Sequence, residues 1–164
     1  MFKHLLVPTD GSALSDAAIR MAVTLAGECK AKLTGLHVMP EYRHFVYSPE
    51  MLEDTEERFL EIAQQHADDY LGAIAKAASE AGVECETIAT TQAHPYEAIV
   101  SVAAERNCDL IVMASHGRAG VRALLIGSET QKVLTHSKVP VLVVRPSVHA
   151  GTPRAVQSGA SSGE

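Results

Sequence analysis

LIVM at residues 110–113 breaks abruptly into ASHGRAGVRALLIGS at residues 114–128. A continuous apolar run bounded by small residues reads as a buried parallel strand, which delivers the loop behind it to the carboxyl edge of a sheet. Open α/β sheets bind ligands along that edge. Gly117 and Gly120 permit positive φ and leave main-chain N–H groups open to close approach. SETQ at residues 128–131 fits a capping box, with Ser128 predicted as N-cap and Gln131 reaching back. The helix N-terminus it opens favours an anion, and the expected result is a phosphate cradle. Taken singly, these glycines could only turn the chain and this serine could only cap its helix. A glycine, nine residues and then Gly-Ser, directly behind an apolar strand, is far more specific.

The pattern resembles that of the universal stress protein family, whose nucleotide-binding members carry G-x-x-G, nine residues and G-[S/T]. Ala114, Gly117, Gly127 and Ser128 stand at the motif positions, so the first glycine is replaced. VPTDGS at residues 7–12 and PVLVV at residues 140–144 also look like that family. The resemblance covers about residues 1 to 146.

Working outward, LLV at residues 5–7 reads as the first strand, ended by Pro8, with Ser12 the expected N-cap of a helix whose face is Ala17, Ala18, Met21, Ala22, Leu25 and Ala26. Residues 33–38 form the second strand, stopped by Pro40. Ser48-Pro49-Glu50 then starts a long helix with the stripe Phe59, Ile62 or Ala63, Ala67, Tyr70 or Leu71, Ile74 and Ala78, closed by Gly82. Residues 83–89 alternate apolar with polar types and suit a strand nearer the sheet edge. His94-Pro95 opens a short helix to Asn107. The strand at 110–113, a helix from Ser128 to about His136 and a last strand at 139–144 complete the domain.

Five strands alternating with four helices indicate an α/β fold, an open five-stranded parallel sheet with helices on both faces. The resemblance implies a Rossmann-like strand order, 3-2-1-4-5, which sets the loops after the first and fourth strands side by side at the switch point. The domain is expected over residues 1–146. Residues 147–164, rich in small residues, Ser and Gly, read as a disordered tail that cannot bury enough surface to offset its ordering entropy.

What the resemblance implies for the ligand is an adenine nucleotide, ATP or else ADP or AMP, with Mg²⁺ as an optional companion. The candidate contacts are Pro8, Thr9, Asp10, Val38, Met113, Ala114, His116, Gly117, Arg118, Gly120, Gly127, Ser128 and Glu129. Asp10 suits a ribose hydroxyl or a phosphate-bound Mg²⁺, or else closes a turn. Val38 and Met113 offer main-chain groups and apolar contact to adenine, or are plain strand ends. Arg118 could pair bidentately with phosphate, with Arg122 a weaker choice. His116 has no nucleophile evident beside it, so positioning outweighs catalysis. Were the Ala114 position to need positive φ, its Cβ would cost about 1–2 kcal/mol; were it only to line the ribose, one methyl could be accommodated. Weakened rather than abolished binding is expected, and Ala114→Gly is expected to tighten ATP binding.

Composition narrows the class. The 164-residue chain is 46% hydrophobic with net charge −6 and no basic block, which argues against nucleic acid and anionic membrane as partners. Cys29, Cys85 and Cys108 show no C-x-x-C pair, so neither a disulfide framework nor a zinc site is expected, and the expected compartment is the cytoplasm. Neither a Walker motif nor G-x-G-x-x-G is present. The ends of the third and fifth strands, ATT at 89–91 and VRP at 144–146, lack the Asp and Lys of a phosphoreceiver domain. The apolar last strand, residues 141–144, would be an edge, and the resemblance implies that it pairs with a second copy in a homodimer. Three readings follow: a dimeric ATP-binding regulatory or stress-protective module with an unknown protein partner; a slow Mg²⁺-dependent ATPase or nucleotidyl transferase using His116 and Asp10; and a nucleotide-free interaction module.

Overall fold

Successive side chains of a strand point to opposite faces, so a strand can bury all of them only if both faces are covered. In the computed structural model, which describes residues 1–42, 52–116 and 126–145, the elements run β1 (His4–Pro8), α1 (Ala13–Cys29), β2 (Lys32–Met39), α2 (Leu52–Glu80), β3 (Cys85–Thr91), α3 (Pro95–Glu105), β4 (Leu110–Ala114), α4 (Ser128–His136) and β5 (Val141–Val144). Leu5, Leu6 and Val7 of β1 and Ile111 and Val112 of β4 are all fully buried. All strand pairs are parallel, in the order β3-β2-β1-β4-β5, as expected. One face, with Leu5, Val7, Leu33, Leu110 and Val112, packs on α1 and α2. The other, with Leu6, Leu36, Ile111 and Met113, packs on α3 and α4.

Ser12 caps α1 as expected, its hydroxyl accepting the Ser15 N–H at 3.2 Å. The buried face of α1 differs from the expected one. Ile19 and Val23 are buried together with Ala18, Ala22 and Ala26, whereas Met21 is 46% exposed. An alanine-rich helix marks its face weakly, and fixing stiff β-branched side chains costs less rotamer entropy than fixing a methionine. On α2 the open alternatives resolve to Ala63 and Leu71, with Ile62 exposed and Tyr70 partly buried. The start expected at Ser48-Pro49-Glu50 lies outside the described residues, as do residues 147–164.

β3 begins two residues later than expected because Gly82, at φ 68°, and Val83 complete the turn after α2, the Val83 N–H donating to the Ala78 carbonyl at 2.9 Å. β5 begins at Val141 rather than at 139 because Ser137 Oγ bonds both the carbonyl and the N–H of Val139. The three cysteines are free. Burial pushes the Cys108 thiol up to about 11. At pH 8 about one Cys108 in a thousand is then thiolate. Ellman's reagent is expected to reach Cys108 last, and full labelling of it without unfolding would contradict its burial. Among the described residues no helix is long and apolar enough to cross a membrane.

Candidate functional site

β1 and β4 are neighbours, but α1 leaves β1 toward one face and α4 leaves the β4 side toward the other, so a crevice opens between the two loops. It holds a cavity of about 430 Å³. Its lining combines apolar side chains, Leu36, Val38, Pro95, Ile99 and Met113, with polar ones, Thr9, Asp10, Ser15, His116, Ser128 and Thr130. Such a lining suits a ligand with a flat apolar part and a charged part.

The loop after β1 is internally tied. Thr9 donates its N–H to the Leu36 carbonyl at 2.8 Å, and its hydroxyl accepts the Gly11 N–H at 3.1 Å and lies 3.0 Å from Ser15 Oγ. Asp10 Oδ1 accepts the Ser12 N–H at 3.0 Å, the turn role considered for it. Asp10 also lines the cavity.

The β4 side departs from the expected cap. Gly127, not Ser128, is the N-cap of α4, with φ −62° and ψ 153°, and as a glycine it makes no side-chain cap bond. The Gln131 amide donates to the Ile126 carbonyl at 3.1 Å instead of closing a capping box. The reason is space. The Gly127 N–H donates to the Ser115 carbonyl at 2.8 Å, which brings the two segments so close that a Cβ on Gly127 would lie 2.9 Å from His116 Cβ. Thr130 reinforces the junction, its hydroxyl donating to the Ala114 carbonyl at 3.0 Å.

Ala114 is a strand residue paired with Val144, and among the described residues the positive-φ non-glycine ones are Lys30 and Asn107. The strain that Ala114→Gly was expected to relieve is therefore not there. A strand glycine instead costs about 0.5–1 kcal/mol. Ala114→Gly should lower stability by that amount in urea denaturation and change ligand affinity by less than about tenfold. A larger gain in affinity would show that the Ala114 methyl, which lines the cavity, obstructs the ligand.

His116 does have a hydroxyl partner that sequence reasoning overlooked: Ser115 Oγ lies 2.9 Å from its Nδ1. Ser115 is only 3% exposed and does not line the cavity, so the pair orients the imidazole rather than presenting a nucleophile. Glu129 ties the two helices flanking the cavity. Its Oε2 accepts the Tyr96 N–H at the start of α3 (2.9 Å), and its Oε1 accepts from Lys132 Nζ (2.9 Å), which lies 5.2 Å from the Tyr96 ring centroid. The bond to Glu129 raises the Lys132 ammonium, and the Tyr96 hydroxyl holds the neighbouring Glu97 carboxyl below its ordinary range. Among the described residues no group of three or more His, Cys, Asp or Glu is placed to hold a metal.

The structure thus gathers Pro8, Thr9, Asp10, Val38, Met113, Ala114, His116, Gly127, Ser128 and Glu129 around one cavity. Gly117, Arg118, Gly120 and Arg122 lie outside the described residues. Sequence reasoning missed Ser15, Leu36, Pro95, Ile99 and Thr130. Leu36 was within reach, being two residues before Val38 and so on the same face. Ile99 could have been inferred from the right-handed crossover that lays α3 on that face.

Residues 1–145 match the model of the universal stress protein family. Among curated proteins, universal stress protein YxiE of Bacillus subtilis is 36% identical over 155 aligned residues, covering 88% of this chain and 100% of that one. Among solved structures, protein MJ0577 of Methanocaldococcus jannaschii superposes with a TM-score of 0.73 at 28% identity, covering 90% of this chain and 98% of that one. A universal stress protein solved in complex with cAMP superposes with a TM-score of 0.66 at 26% identity, over 89% and 99% of the two chains. With the family's match spanning the sheet, its helices and both loops of the crevice, the chain belongs to the universal stress protein family.

Proposed function

We propose that the cavity binds an adenine nucleotide and that the protein acts as a binding-coupled regulatory or stress-protective module. The observation that carries this reading is the N-terminus of α4, which reaches the cavity at Gly127 and Ser128 and whose N-cap, a glycine, brings no side chain of its own to the first N–H groups. Its first N–H groups and dipole suit a phosphate. The apolar lining residues Val38, Ile99 and Met113 suit the base, and Asp10 the ribose hydroxyls. The relative solved with cAMP supports an adenine nucleotide as the class. Mg²⁺ would enter with the phosphates, since Asp10 supplies one carboxylate and Mg²⁺ readily keeps waters and phosphate oxygens as its other ligands. Occupancy would shift the surface offered to a protein partner. Three free thiols accord with a reducing compartment such as the cytoplasm.

The test is calorimetric titration of nucleotide-stripped protein with ATP, ADP, AMP and cAMP, with and without Mg²⁺. Saturable binding in the micromolar range is expected, and no heat up to millimolar nucleotide would overturn the reading. We also propose a homodimer through β5, an edge strand whose Leu142 is 38% exposed. Leu142→Lys is expected to shift the sedimentation coefficient to that of a monomer; a wild-type chain that sediments as a monomer would refute this assembly.

A further inference from the structure

The loop that carries Thr9 and Asp10 is gripped from behind by side chains that do not line the cavity. His37, buried near the carboxyl end of β2, places Nδ1 2.8 Å from the Thr9 carbonyl oxygen. A carbonyl oxygen only accepts, so Nδ1 carries a proton. The imidazole meets the Tyr70 ring of α2 edge-on, with centroids 5.1 Å apart and planes at 80°, and Tyr70 stacks on His66 at 5.6 Å and 17°. Tyr70 also covers Gly11, whose missing side chain and φ of 73° leave room for the ring. The hydrogen bond holds residue 9, the ring holds residue 11, and Asp10 lies between them.

We propose that His37 and Tyr70 are positioning residues for the cavity wall formed by Thr9 and Asp10, so that affinity is set from β2 and α2 without either side chain touching the ligand. A loop already held in its binding geometry loses less freedom when the ligand arrives. The affinity consequence rests on the adenine-nucleotide reading; the clamp itself does not.

The experiment measures two quantities on His37→Ala, His37→Asn, Tyr70→Ala and Tyr70→Phe: the dissociation constant for ATP and cAMP by calorimetry, and amide hydrogen exchange of Gly11 and Ser12 without nucleotide. Those two N–H groups bond Thr9 Oγ1 and Asp10 Oδ1, so they report the loop directly. Both alanine variants are expected to weaken binding about tenfold and to speed exchange at both amides. His37→Asn keeps a donor where Nδ1 stands, and Tyr70→Phe keeps the ring; both should stay closer to wild type than to their alanine variants. Leu71→Ala, which loosens the core side of α2 while keeping both His37 and Tyr70, controls for general destabilisation and should leave both readings near wild type. Equal losses in Leu71→Ala, or unchanged exchange at Gly11 and Ser12 in the alanine variants, would overturn the proposal. Faster exchange in a protein that binds no nucleotide would support the clamp while refuting the nucleotide reading.

Discussion

Gly11→Ala is expected to destabilise the fold by about 2–5 kcal/mol, combining about 1–2 kcal/mol for a Cβ at positive φ with about 1–3 kcal/mol for overpacking. Gly11 sits at φ 73°, and an added Cβ would fall inside the van der Waals shell of Tyr70 Cε1, Cζ and Cδ1. Neither neighbour yields easily. The ring is packed between His37 and His66, and the loop is fastened through Thr9 and Asp10. For a chain of this length each kcal/mol lowers the melting temperature by about 2–4 °C. Calorimetric melting would show the loss, and a shift under 2 °C would mean that α2 does not lie on the loop. Gly72, on the exposed side of α2 with nothing near its missing Cβ, provides the contrast. There an alanine should stabilise by about 0.5–1 kcal/mol.

Gly127→Val should cost less stability than Gly11→Ala and more function. Its Cβ would lie 2.9 Å from His116 Cβ and 3.0 Å from His116 Cα, and main chain cannot swing aside as a side-chain tip can. The Gly127–Ser115 bond and the Thr130–Ala114 bond must then stretch or break. Overpacking of this kind costs about 1–3 kcal/mol. Because the same displacement moves the N-terminus of α4 away from the proposed phosphate position, nucleotide affinity should fall by more than about tenfold. Titration of a variant shown to be folded by circular dichroism makes the check. Wild-type affinity would place the phosphate somewhere other than α4.

The strands most legible in the sequence are those buried on both sides. Residues 5–7 and 110–113 are apolar without interruption because both faces of the sheet center are covered. At the edges, where β3 is half exposed and β5 is short, the apolar pattern fades and boundaries slipped by two residues. The face of α1 was misjudged because alanine looks alike on every side of a helix. The residue types SETQ announced a capping box, yet the closeness of Gly127 to His116 moved the cap by one position. Proximity between residues that stand eleven positions apart leaves no local mark.

From the sequence alone came the α/β alternation, the carboxyl-edge loop and, through the motif's resemblance, the strand order and most of the residues that meet at the crevice. The alternation and the loop rest on hydrophobic period and local backbone demands, which are written along the chain, whereas the strand order and the site residues rest on the resemblance. Tertiary structure alone decided that Ala114 lies unstrained in β4, that Ser115 orients His116, that Glu129 ties α4 to α3, and that His37 and Tyr70 back the Thr9–Asp10 loop. Apart from the Ser115–His116 pair, these depend on which elements the right-handed crossovers bring together and at what depth. A side chain's partner across such a junction is set by packing in space, not by its neighbours in sequence.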